Sequence, residues 1–171
     1  MNKITTKTVA TGGVFLALSI ATLFGATTVP GIELTLYTFS SFYAAFIIIE
    51  ISTRAAWLFY FASVLLTFAI LPNKGALIPY AIFFGLYGIV KYYIENFKKI
   101  NQLVEIILKL LFCNIIFALG YIFFKELFLG TIQLPDVALP FIIIGAQVFF
   151  LAYDYIFTLI IGFYMKRRPK A

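Results

Sequence analysis

The chain contains no histidine and only one cysteine, Cys113, among its 171 residues. Without histidine and without a second thiol, it can build neither a zinc-type metal site nor an internal disulfide. No segment has the pattern of a nucleotide-binding loop or a glycine-rich phosphate cradle. We therefore expect no metal, no cofactor and no ATPase activity of the chain's own.

Charged residues are also scarce. They make up 12% of the sequence, against 63% hydrophobic residues, and the mean hydropathy is +1.04. Soluble domains use about 25% charged and 45–50% apolar residues, so this composition predicts an integral membrane protein. We interpret the net charge of +6 as a topology signal and not as a nucleic-acid-binding surface, because basic residues gather on the cytoplasmic side of membrane proteins.

Six apolar stretches are long enough for transmembrane helices, since the bilayer core requires about 20 apolar residues per helix. Turn-forming and polar segments separate them, among them Pro30-Gly31 and the Gly130 to Pro140 segment. The predicted spans lie near residues 8–28, 33–52, 55–72, 75–95, 103–128 and 139–165. Because they use almost the whole chain, we predict a single all-α transmembrane domain over residues 1–171.

The basic residues predict the orientation of these six spans. If the N-terminus is cytoplasmic, all 13 lysines and arginines except Lys74 and Lys125 fall at cytoplasmic ends. The positive-inside rule expects this asymmetry, and an odd number of spans would scatter it. Both termini are therefore predicted to be cytoplasmic.

Small residues recur every four positions in the first span: Gly13, Ala17, Ala21 and Gly25. Residues four apart lie close to one face of a helix and let a second helix approach closely. This small-residue row either packs against the chain's own helices or serves as a docking face for a partner membrane protein.

Six spans in a short chain, cytoplasmic termini, a basic N-terminus and the Ala17-xxx-Ala21 pair together resemble the S components of energy-coupling factor transporters. The resemblance implies a multi-pass protein of the bacterial cell membrane that takes up a vitamin or other small metabolite. It also implies docking of the Ala17 and Ala21 face on a transmembrane coupling subunit that works with two ATPase subunits. No subfamily signature names the substrate.

Asp154 lies within an otherwise apolar segment, LAYDYIFTLI, where a charge costs about 2.5–3.5 kcal/mol or more. Lys109 and Lys91 approach the same depth from the predicted cytoplasmic side, with Lys109 the first candidate partner. The pair is interpreted as a structural link between helices, with a proton or cation role and direct ligand contact as the alternatives.

Glu50 and Arg54 stand four residues apart at the predicted inner end of the second span. If the helix continues that far, they form an i,i+4 ion pair. This pair is interpreted as an interfacial link, or as a contact to a cytoplasmic partner.

Polar and aromatic groups in the predicted outer half could line a small-molecule pocket, or could simply bridge helices. The candidate ligand-binding residues are Asn73, Lys74, Tyr80, Asn114, Tyr121 and Gln147.

An enzyme of the membrane interior requires a carboxylate pair, a serine with a base, or a metal motif. Glu126 and Asp136 are predicted to lie in a loop, and no second acid is expected within reach of Asp154 by depth. We predict a protein that is not an enzyme. The alternative to a transporter subunit is a membrane scaffold resembling the small rod-shape-determining membrane proteins.

Overall fold

A computed structural model describes residues 6–71, 74–97, 101–129 and 138–167. Within these ranges, the side chains of residues 76, 121, 123–129, 138–140 and 142 are not described. Every regular element in the described ranges is helical. The α-helices are α1 (Thr6–Thr28), α2 (Glu33–Glu50), α3 (Thr53–Ile70), α4 (Gly85–Glu95), α5 (Gln102–Leu129) and α6 (Ala138–Arg167).

Four of the described helical segments are long and apolar enough to cross a membrane. They are Thr6–Thr28, Thr53–Ile70, Gln102–Gly120 and Ile143–Arg167. The protein is thus an all-α, multi-pass membrane protein. The count of six spans stays a prediction, because α2 and α4 are not among these four segments and α4 has only 11 residues. The cytoplasmic placement of both termini also stays a prediction.

The predicted fourth span, 75–95, is not one continuous α-helix. It consists of a 3-10 turn (Lys74–Leu77), a π-helix (Tyr80–Phe84) and then α4. Pro79 lies between the first two parts and has no N–H to donate. Tyr60 stabilises the break, since its hydroxyl donates to the carbonyl oxygen of Ala81 over 2.7 Å. The π geometry follows from the Gly85 N–H, which donates five residues back to Tyr80 O.

The chain divides into two compact units, Met1–Tyr93 and Ile94–Ala171. In the first unit α1, α2 and α3 pack on one another, and α2 also contacts the π-helix. The core cluster of this unit consists of Ala44, Ile47, Ala56, Phe59 and Ile89. A single domain over the whole chain stays a prediction.

Buried hydroxyl groups in the first unit mostly bond to their own helix, as serine and threonine do in apolar surroundings. Ser63 Oγ donates to Tyr60 O over 2.8 Å and lies 2.7 Å from the Tyr80 hydroxyl. One turn further along α3, the fully buried Thr67 Oγ1 has no hydrogen-bond partner in the described part of the chain. A buried hydroxyl without a partner opposes folding.

Replacing Thr67 by Val should therefore leave the protein as stable as before or more stable, by up to about 1 kcal/mol, because a methyl group takes the place of an unsatisfied hydroxyl. The matched change Ser63→Ala removes the existing hydrogen bond to Tyr80 and should lower stability by about 1 kcal/mol. Thermal unfolding of both variants in the same detergent distinguishes them. A loss for Thr67→Val as large as that for Ser63→Ala would contradict the prediction.

In the second unit α5 packs against α6. One face of α6 is buried and aromatic: the rings of Phe150 and Tyr153 lie 6.4 Å apart, and those of Tyr153 and Phe157 lie 5.8 Å apart. Cys113 of α5 is also fully buried. Asp154, the residue after Tyr153, is partly exposed and lies within reach of α5.

Candidate functional site

Two acidic side chains of the second unit contact Lys109. Its Nζ donates to Glu95 Oε1 over 2.6 Å and to Asp154 Oδ2 over 3.3 Å. We call Glu95, Lys109 and Asp154 the charged cluster. It joins the last residue of α4, the second turn of α5 and the middle of α6.

Exposure differs across the charged cluster. The side chain of Lys109 is 7% exposed, that of Asp154 16% and that of Glu95 38%. The lysine is thus the central buried charge, and its two carboxylate partners replace the hydration that it gives up on burial. Glu95 sits closest to the surface, so its pair with Lys109 is the better screened of the two.

Lys109, the first candidate partner of Asp154 from sequence, does contact it. The expectation that no second acid lies within reach of this point was wrong, because Glu95 contacts the same ammonium group. The long lysine stem explains the error, because it lets one ammonium group touch acids on two other helices. Lys91 lies on α4 in the first unit and is buried; its pairing with Asp154 stays a prediction.

The predicted i,i+4 pair of Glu50 and Arg54 is corrected by the helix boundaries. α2 ends at Glu50, and α3 begins at Thr53. Ser52 ends the turn between them and caps α3, where its side chain accepts the N–H of Ala55 over 3.2 Å. Glu50 and Arg54 therefore belong to different helices, and the helix does not continue far enough for the pair.

The small-residue row of α1 is largely outside the packing of the first unit. Gly13, Ala17 and Ala21 are exposed, whereas the buried residues of α1 are Ser19, Leu23 and Ala26. A Cβ added to Gly13 would meet nothing within 4 Å.

Gly25 behaves differently from the rest of the row: a Cβ there would come within 3.3 Å of Leu36 Cδ1. Positions four apart drift by about 40° per step around a helix of 3.6 residues per turn. Three steps therefore turn Gly25 away from the face of Gly13 and towards α2. Internal packing accounts for Gly25, and the three other positions form the open part of the row.

Two of the candidate ligand residues make hydrogen bonds that fix the local fold. Lys74 Nζ donates to the carbonyl oxygens of Phe68 and Leu71, the latter over 2.6 Å, and so caps the end of α3. Tyr80 is fully buried, and its hydroxyl forms a hydrogen bond with the hydroxyl of Ser63. Asn73 and the side chain of Tyr121 lie outside the described residues.

The remaining two candidates, Asn114 and Gln147, come together in the second unit. Gln147 Nε2 donates to Asn114 Oδ1 over 3.4 Å, and Asn114 Nδ2 donates to Leu110 O over 2.9 Å. Asn114 is exposed and Gln147 partly exposed. Exposing an amide pair to lipid on two apolar helices costs free energy, so we expect these groups to contact a polar partner.

A groove of about 510 Å³ runs along the end of α6. Its lining residues within the described part of the chain all belong to this one helix: Thr158, Leu159, Ile160, Gly162, Phe163 and Lys166. None of the candidate ligand residues whose side chains are described lines it.

The features that bear on function are thus an open row of small residues, a charged cluster around the buried Lys109 and an exposed amide pair. Searches against protein-family models, curated proteins and solved structures give no match to this chain.

Proposed function

We propose that the chain is a substrate-binding membrane subunit for uptake of a vitamin or other small metabolite. In this proposal it is not itself an enzyme and works in the bacterial cell membrane with a separate ATP-driven module. The observation that carries the proposal is the open row of Gly13, Ala17 and Ala21 on α1. A helix that presents small residues outside its own unit offers a surface for close approach of a partner helix.

The exposed amide pair supports the binding part of this proposal. Asn114 and Gln147 supply both N–H donors and carbonyl acceptors at one point on α5 and α6. A few convergent polar groups in apolar surroundings are typical of small-molecule sites. The pair is therefore the proposed point of substrate contact, whereas Lys74 and Tyr80 hold the interrupted segment in place.

The test is purification of the tagged full-length chain from native membranes, with mass spectrometry of both the proteins and the small molecules retained. We expect a transmembrane coupling subunit, two ATPase subunits and a bound metabolite. Replacing Gln147 by Leu should reduce the retained metabolite without reducing the copurified proteins. If wild type retains neither an ATPase module nor a metabolite, the proposal fails and a membrane scaffold becomes the better explanation.

A further inference from the structure

The groove at the end of α6 has an apolar wall and a basic end. Leu159 and Phe163 are each more than half exposed along it. Gly162 leaves a notch beside them, since a Cβ added there would meet nothing within 4 Å. Such a surface accepts a flexible hydrocarbon chain without any rearrangement of the helix.

The basic end consists of Lys166 and Arg167 in the last turn of α6. Lys166 lines the groove directly. The guanidinium carbon of Arg167 lies 4.2 Å from the centre of the Phe163 ring, a cation–π contact that holds this charge beside the groove. Among the described residues, no acidic side chain lines the groove, and the acid one turn before it, Asp154, contacts Lys109.

We propose that this groove is a binding site for an anionic phospholipid. The acyl chain lies along Leu159, Gly162 and Phe163, and the phosphate contacts Lys166 and Arg167. Charge complementarity selects this occupant: a zwitterionic lipid satisfies the apolar wall equally well but leaves two adjacent cations without a net counter-charge. Basic residues at the end of a membrane helix attract anionic head groups in this way. The site lies wholly within the second unit and does not depend on the proposed transport function.

The experiment reconstitutes the full-length chain in nanodiscs of phosphatidylcholine doped with phosphatidylglycerol, then extracts it and counts retained lipids by native mass spectrometry. We expect wild type to retain phosphatidylglycerol in preference to phosphatidylcholine. Replacing Lys166 and Arg167 by Gln should reduce that preference by roughly fivefold for each charge removed, the fold-change that corresponds to about 1 kcal/mol per basic residue.

Matched controls separate the groove from general attraction to anionic lipid. Gly162→Leu fills the notch and should also reduce retention, whereas Gly145→Leu, at another open glycine of α6, should not. Arg54→Gln removes an exposed charge from the first unit and should leave the preference intact. Added inorganic phosphate should not displace the lipid, because the acyl chain contributes to binding.

Equal retention of the two lipids by wild type would overturn the proposal. So would equal losses for Gly162→Leu and Gly145→Leu, or a loss for Arg54→Gln as large as that for either basic residue of α6. If Gly162→Leu fails to fold, the Lys166 and Arg167 variants decide the matter, because both side chains are exposed at the helix end. Displacement by inorganic phosphate alone would indicate a phosphate site and not a lipid site.

Discussion

Replacing Lys109 by Met should lower the stability of the folded chain by about 3–5 kcal/mol, the usual cost of removing one partner from a buried ion pair. Methionine has a similar volume, so the loss does not come from a cavity. It comes from Asp154 and Glu95, which are left close together without the ammonium group that both now contact. Thermal unfolding in detergent and the yield of monodisperse protein measure the effect.

The double variant tests whether the effect belongs to the charged cluster. Asp154→Asn alone should also reduce stability. The double variant Lys109→Met with Asp154→Asn should lose less than the sum of the two single losses, because the more buried acid then carries no charge and only the more exposed Glu95 is left without the lysine. Glu95→Gln should cost less, since Glu95 is the more exposed acid. Lys7→Met, at an exposed position in α1, is the control and should have little effect. Independent, additive losses for Lys109 and Asp154 would refute the coupling.

The helices were predictable from sequence because hydropathy and turn residues act locally. The start of α2 and the end of α1 at Thr28 agree with the predicted spans. The meeting of Lys109 and Asp154 was also predictable, since both had to lie at similar depth and a charge in lipid needs a partner. Glu95 was missed because it ends its helix, where hydropathy gives no reason to expect an inward contact.

The form of the 74–95 segment was less predictable. The predicted span took no account of Pro79, and whether a helix kinks, tightens or widens at a proline depends on what satisfies the released carbonyl groups. Here Tyr60 supplies a hydroxyl to Ala81 O, and that partner is distant in sequence. The role of Lys74 could not be predicted for the same reason. Whether its ammonium group contacts a ligand or caps the end of α3 depends on three-dimensional position.

Replacing Ala17 and Ala21 by Leu should leave the folded chain intact and abolish its association with the proposed coupling subunit. Both alanines are exposed, so larger side chains there do not clash with the first unit. At a close helix–helix contact, each overpacked position costs about 1–3 kcal/mol, a loss of roughly 5- to 100-fold in affinity per substitution.

Copurification from native membranes, scored against the yield and unfolding temperature of the same variants, measures this result. Ala118→Leu is the matched control: it places the same side chain at an exposed alanine of α5, away from the small-residue row, and should keep the partners bound. Undiminished copurification by the Ala17 and Ala21 variants would exclude this face as the contact. A fall in their folded yield would instead show that α1 uses it within the chain, because only an internal contact makes these positions matter for folding.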